Sequence, residues 1–307
     1  MLRLLWAAAF LVLATGWARA DDLANRLNSL ASKHAGKVAI ACKHLPSGQS
    51  FYLNADEPMP TASLIKFPFL IEAYFQAHEG KIKLSDPVAL RKEDMVPGSG
   101  VLTHYFSPGI SFPLTDAMNL MIALSDNTAS NLVLDKVGIP AVGKRMAGLG
   151  FPNTSIFAKV YKRSTTSIDM EKSKKYGLGS TTAREMVGLF EMLNADKLVD
   201  AASSKAMVAT LKKCEDTAKF PRFLNGVAIA HKTGTLDDIK TDGGLIYLKG
   251  GPVALCVLTS ENKDQRWLID NEGNKFCAEV AKAVVNYFAA QHKVAPLSSN
   301  PAKSSGS

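Results

Sequence analysis

The chain has 307 residues, of which 47% are hydrophobic and 21% charged, with a formal net charge of +8. Those proportions are ordinary for a globular protein, and the length suits one large or two medium domains. The cations are dispersed with no run of five and no nucleic-acid module, so the excess reads as general surface charge and no nucleic-acid partner is expected.

The first twenty residues form a segment of their own. Arg3 precedes an apolar run from Leu4 to Val12, and Ala18-Arg19-Ala20 fits an A-x-A cleavage site. A membrane-spanning helix needs about 20 apolar residues, and this run is shorter. A cleaved secretory signal is therefore expected, with cleavage near Ala20, a secreted or periplasmic destination and no stable membrane anchor. No cysteine follows the cleavage site, so no lipid is expected there.

Leu23, Leu27 and Leu30 then recur at helical spacing over residues 22–34. KVAIACKHL and SFYLNA read as two strands joined by Pro46-Ser47-Gly48-Gln49. From about Thr61 to Lys213 the pattern is helical, with helices expected over 63–78, 113–124, 128–137, 141–149, 182–193 and 203–212. Pro68 lies inside the first of these, where a missing N–H is expected to bend it. GVAIAHKTG, GGLIYLKG and PVALCVLTS read as three further strands, and GNKFCAEVAKAVVNYFAAQH as an amphipathic helix. This order predicts an α/β (α+β) fold with a discontinuous α/β part (21–60 and 214–293), an inserted helical part (61–213) and a disordered Ser/Pro/Ala-rich tail (294–307). A cleft is expected where the two parts meet.

Four cysteines (Cys42, Cys214, Cys256 and Cys277) are free to pair in an exported chain, with three connectivities open. Cys42 and Cys256 lie in apolar runs and read equally as small buried hydrophobes. With no Cys-x-x-Cys and no zinc-like Cys/His spacing, no metal is expected, and nothing implies a cofactor.

Three short motifs carry chemistry. Ser63-Leu64-Ile65-Lys66 opens an apolar helix, which puts the lysine amine on the serine's face. Free N–H groups and the helix dipole there favour developing negative charge. An amine made neutral by burial or by nearby cations can accept the serine proton. The motif is weak alone, since Ser260-Glu261-Asn262-Lys263 repeats it after a strand with no partners. Ser125-Asp126-Asn127 joins two helices, where all three residue types also serve as caps. Lys232-Thr233-Gly234 ends a strand, where glycine also serves a turn.

The order S-x-x-K, S-D-N, K-T-G is that of class A β-lactamases and penicillin-binding proteins. Over roughly residues 22–290 the chain resembles that serine hydrolase family through PTASLIKFPFL, LSDNTASNLVL and AIAHKTGT. The resemblance implies a β-lactamase/transpeptidase-like fold, with a five-stranded antiparallel sheet, terminal helices and an inserted helical subdomain. It implies that Ser63 attacks and is acylated, that Lys66 takes its proton, and that Ser125 bridges Lys66 and Lys232 and passes a proton to the leaving nitrogen. Asn127 is then expected to bond the substrate's side-chain amide, and Lys232 and Thr233 its carboxylate. The N–H groups of Ser63 and Thr235 would form the oxyanion hole, with Gly234 allowing close approach. The expected partner is a small β-lactam or a cell-wall peptide.

The chain departs from that pattern in the segment VYKRSTTSIDMEKSKKYGLG, where class A enzymes place a deacylating glutamate in E-x-x-x-N. No such motif occurs there, and Asp169 and Glu171 are its only acids, among Lys172, Lys174 and Lys175. Two further departures concern the pocket. Gly98-Ser99-Gly100 replaces an aromatic wall, leaving Tyr105 or Phe106 as candidates. Thr241-Asp242-Gly243-Gly244 lacks a carboxylate-binding arginine, leaving Lys240 or Arg222. Hydrolysis of the β-lactam amide through a Ser63 acyl-enzyme is expected. The alternative is a D-alanyl-D-alanine peptidase, or a related amidase or esterase, with slow deacylation.

Overall fold

A computed structural model describes residues 22–291, so the expected signal (1–20) and tail (294–307) lie outside the described residues. A first helix, α1 (residues 22–33), leads into β1 (Lys37–His44) and β2 (Ser50–Leu53). The helical block follows, with α2 (Lys66–His78), α3 (Leu114–Ala123), α4 (Asn127–Val137), α5 (Ile139–Gly148), α6 (Ala183–Asn194) and α7 (Ala201–Leu211). The chain then returns through β3 (Ala228–Thr235), β4 (Lys240–Leu248) and β5 (Gly251–Ser260) and ends in α8 (Glu272–Gln291). The sheet is antiparallel throughout, in the order β2-β1-β5-β4-β3, which makes β3 an edge strand.

Period-two alternation gives this sheet two buried faces. Ile40, Cys42, Leu255 and Val257 pack with Leu23, Leu27, Phe276, Val280 and Phe288 of the terminal helices. The intervening Ala39, Ala41, Ala254 and Cys256 face the helical block, with Leu64, Phe67 and Phe190. Small residues on that side let helices approach closely. A Cβ added at Gly243 would stand 3.2 Å from Leu64 Cδ1 and 3.2 Å from Phe190 Cε2. Phe67 stacks on Phe190 at 4.4 Å between centroids.

Two sequence expectations are corrected. A 3₁₀ turn (Ala62–Ile65) holds Ser63, and α2 begins only at Lys66. Pro68 therefore falls in the first turn, where a helix has no partner for the missing N–H, so the ring has no bond to break. The periodicity also concealed short strand pairings in and just before the helical block: Gly179–Thr181 pairs with Met59–Pro60 on one side and Ser155–Ile156 on the other, and Pro87–Ala89 pairs with Ser111–Pro113. All four cysteines are free thiols, three of them buried. Among the described residues no helix is long and apolar enough to cross a membrane, and no group of three or more His, Cys, Asp and Glu is arranged to hold a metal ion.

Candidate active site

The three motifs converge because the Ser63 turn is sewn onto the sheet where β4 pairs with the end of the edge strand β3. The Thr241 hydroxyl donates to the Thr61 carbonyl at 2.8 Å. Gly234 lies at the crossing, where an added Cβ would come within 2.3 Å of Thr61 O and 2.9 Å of Ser63 N. Only glycine leaves room for that contact, which explains why the strand ends K-T-G beside Ser63.

Ser125 joins the two lysines. Lys66 Nζ donates to Ser125 Oγ at 3.2 Å, to Ser125 O at 2.7 Å and to Asn127 Oδ1 at 3.0 Å. From the other side, Lys232 Nζ donates to the same hydroxyl at 3.1 Å and to Thr233 O at 2.7 Å. Both lysines are fully buried. Burial, reinforced by the nearby Lys232 charge, pushes the Lys66 amine well below its usual range. Burial also lowers Lys232, although Cys214, Asp216 and Asp242 oppose it. Among the described residues no hydrogen bond joins Lys66 to Ser63, and the amine is held instead by Ser125 and Asn127.

The Ser125 corner is itself held. Asp126 caps α4 by accepting from Ala129 N at 2.8 Å, and its other oxygen accepts from Val101 N at 2.7 Å and Leu102 N at 2.9 Å. It orients the loop as its type suggests. The Asn127 side chain is occupied at both ends, since Nδ2 donates to Pro97 O at 3.1 Å while Oδ1 accepts from Lys66. Gly98 makes that embrace possible, as a Cβ there would lie 2.7 Å from Asn127 Nδ2.

A pocket of about 350 Å³ opens over this cluster, lined by Ser63, Ser125, Lys232, Thr233, Thr235 and Trp267 among others. Thr233 O accepts from Lys232, whereas Leu236 N bonds inward to Ile239 O. Alternation along β3 therefore turns the backbone of Thr233 and Thr235 toward the open edge.

Three features of the site were not legible in the motifs. Lys219 is buried, with Nζ bonded to Asp216 Oδ2 at 2.7 Å and to Thr235 Oγ1 at 3.0 Å. It offers a cation beside Thr235, whereas the charged groups of the two expected substitutes are engaged by other partners. Lys240 donates to the carbonyls of Leu236 and Asp237, and Arg222 pairs with Asp270. The second feature is Trp267, the aromatic residue of the pocket wall. Phe106 instead lines a separate groove with Ile110 and Phe112, and Tyr105 is exposed. The third lies below Lys232, where His231 Nδ1 meets Asp242 Oδ1 at 2.9 Å. Burial disfavours the charged imidazole, but Asp242 outweighs it and raises His231 to about 10. The only sequence trace of the Lys219 pair is its i, i+3 spacing, which many surface pairs share.

The segment 160–179 supplies no acid to this pocket. Asp169 caps a short helix (Met170–Tyr176) through Lys172 N at 2.9 Å, and Glu171 is exposed. The loop is tied down at its neck, where Asn131 and Val160 exchange hydrogen bonds of 3.0 and 2.9 Å.

Comparison with known proteins agrees with this geometry. A family model described as "Beta-lactamase enzyme family" matches residues 22–288. Beta-lactamase VEB-1 of Pseudomonas aeruginosa is 21% identical, over 88% of this chain and 92% of that protein. A beta-lactamase of Phocaeicola vulgatus is 26% identical over 69% of this chain and 67% of its own length. The crystal structure of a beta-lactamase from Sphaerobacter thermophilus superposes with a TM-score of 0.75 at 26% identity, covering 91% of this chain and 99% of that one. A variant of PBP-A, solved as an acyl-enzyme complex with penicillin G, superposes with a TM-score of 0.77 at 23% identity, covering 88% and 97%.

Proposed function

The chain belongs to the beta-lactamase enzyme family, and on that premise we propose that it is an exported hydrolase that opens β-lactam amides through a Ser63 acyl-enzyme. The supporting observation is the Ser125 hydroxyl held between Lys66 and Lys232 at 3.2 and 3.1 Å. Neutral Lys66 takes the Ser63 proton as Oγ attacks the lactam carbonyl. The N–H groups of Ser63 and Thr235 receive the oxyanion. Removing one such donor costs about 2.7–4 kcal/mol in related acyl transfer. Ser125 passes its proton to the leaving nitrogen and is reprotonated from Lys66, so the charge returns to its starting place. Lys232, Thr233 and Thr235, with Lys219 behind Thr235, hold the substrate carboxylate. Asn127, oriented by Pro97 and Lys66, keeps a second N–H and a second lone pair for the substrate amide. Gly234 contributes by letting the Ser63 turn close on the strand.

A second assignment is favoured by the loop. Asp169 is spent on a cap and Glu171 faces solvent, which leaves the deacylating water without a carboxylate from this segment. The same apparatus then suits cell-wall peptides ending in D-alanyl-D-alanine, with β-lactams clearing slowly. Both are tested by mixing the purified protein with a chromogenic cephalosporin and following turnover and intact mass together. A stoichiometric burst with a long-lived adduct is expected, absent in Ser63→Ala. Rapid steady turnover would overturn the slow clearing, and an adduct that survives Ser63→Ala would sink the mechanism.

A further inference from the structure

Trp267 is 64% exposed, yet its ring is fixed. Nε1 donates to Asp237 Oδ1 at 2.6 Å, and the Lys240 ammonium lies 5.7 Å from the ring centroid. Asp237 follows Thr235 by two residues, and Lys240 is the register partner of Thr235 across the β3–β4 pair. Both anchors therefore stand at the Thr235 end of the pocket, away from Ser125 and Asn127. Trp267 shares that pocket with Thr235 and Ser63, and the Thr235 hydroxyl is held by buried Lys219. A cationic, hydroxyl-lined corner thus abuts a pinned aromatic surface. Water gains little from such a surface, and a rigid indole loses little entropy when a ligand covers it.

We propose that Trp267 is the platform for an apolar, preferably aromatic, substituent next to the substrate's carboxylate, on the half that carries the scissile nitrogen. The protein then selects acyl donors by the half that carries the scissile nitrogen. The selection rests on the Ser63 chemistry proposed above, with the carboxylate at Thr235 setting the distance to the ring. Leu236, exposed in the adjoining turn, extends the apolar side of that corner.

The test uses two cephalosporins with the same acyl side chain, one bearing methyl and one phenyl on the ring carbon beside the carboxylate. Second-order acylation of Ser63 is followed by intact mass. The wild type is expected to favour the phenyl compound by about tenfold, the size of one good aromatic contact. Trp267→Ala is expected to bring the ratio close to one, while Trp267→Phe retains most of it. Leu268→Ala serves as a control, because Leu268 is equally apolar and 55% exposed but outside the pocket lining. A wild-type ratio near one, or a ratio unchanged in Trp267→Ala, overturns the platform while leaving acylation standing. Failure of both compounds to acylate the wild type overturns the Ser63 chemistry and the platform with it.

Discussion

The Ser125 corner and the 160–179 loop are built in opposite ways, although a hydrolase of this kind needs both kinds of chemistry. At the corner the Ser125 hydroxyl is bound by both of two buried amines, and each amine has at least one further partner. The loop is fastened at Asn131–Val160, but its acids cap a helix or meet water. Preorganised charge is costly to assemble and is worth most where solvent is excluded. On the proposed mechanism, the corner is assembled for forming the acyl-enzyme, while the 160–179 loop brings no carboxylate for breaking it.

Ser125→Ala should break the corner most severely. Acylation is expected to fall by about 10²–10⁴, the usual worth of a placed proton donor, measured as the rate of adduct formation. Next comes pH. Lys66 works neutral and its pKa lies below the usual lysine value of 10.5, so acylation should rise as pH climbs through that depressed value. Lys232 works charged and is itself lowered, so the rate should fall again at higher pH. Lys232→Gln removes a charge that depresses Lys66, and the rising limb should move to higher pH. A limb that stays in place would show that burial alone sets the Lys66 value. Lys219→Met should weaken the carboxylate corner, raising the concentration needed for half-maximal acylation by about tenfold, with less effect on the limiting rate.

The loop should respond more quietly. Asp169→Asn is expected to cost at most about 1 kcal/mol of stability, since Asn caps nearly as well as Asp, read by thermal melting. Glu171→Gln should leave adduct lifetime unchanged. A lifetime lengthened tenfold or more would make Glu171 the missing base and erase the contrast between the two regions.

The residues that meet at the Ser125 corner were legible because each sits in a short contiguous motif whose helix, turn or strand follows from local periodicity. The sheet was legible for the same reason, through the alternation in KVAIACKHL and PVALCVLTS. Pro68 was misjudged because the start of α2 is fixed by the Ala62–Ile65 turn, which is anchored through Thr61 by the distant Thr241 and Gly179. Lys219 and Trp267 were missed because their partners, Thr235 and Asp237, lie 16 and 30 residues away. No periodicity reports a side chain borrowed from another element. Asn127 was identified by type, yet its bond to Pro97 depends on a loop bringing residue 97 back over it.

Two residues at or beside this pocket fold against their own preference. Ala62, just before the nucleophile, and Ser125 have φ of +46° and +52°, a left-handed conformation that costs a side chain about 1–2 kcal/mol. Elsewhere glycine loosens a chain, but at these two places it should tighten it. Ser125→Gly should melt at a higher temperature than Ser125→Ala, although neither has the hydroxyl, and Ala62→Gly should melt above the wild type. Thermostability is then readily gained at the very positions where a selection for robustness alone would dismantle the site.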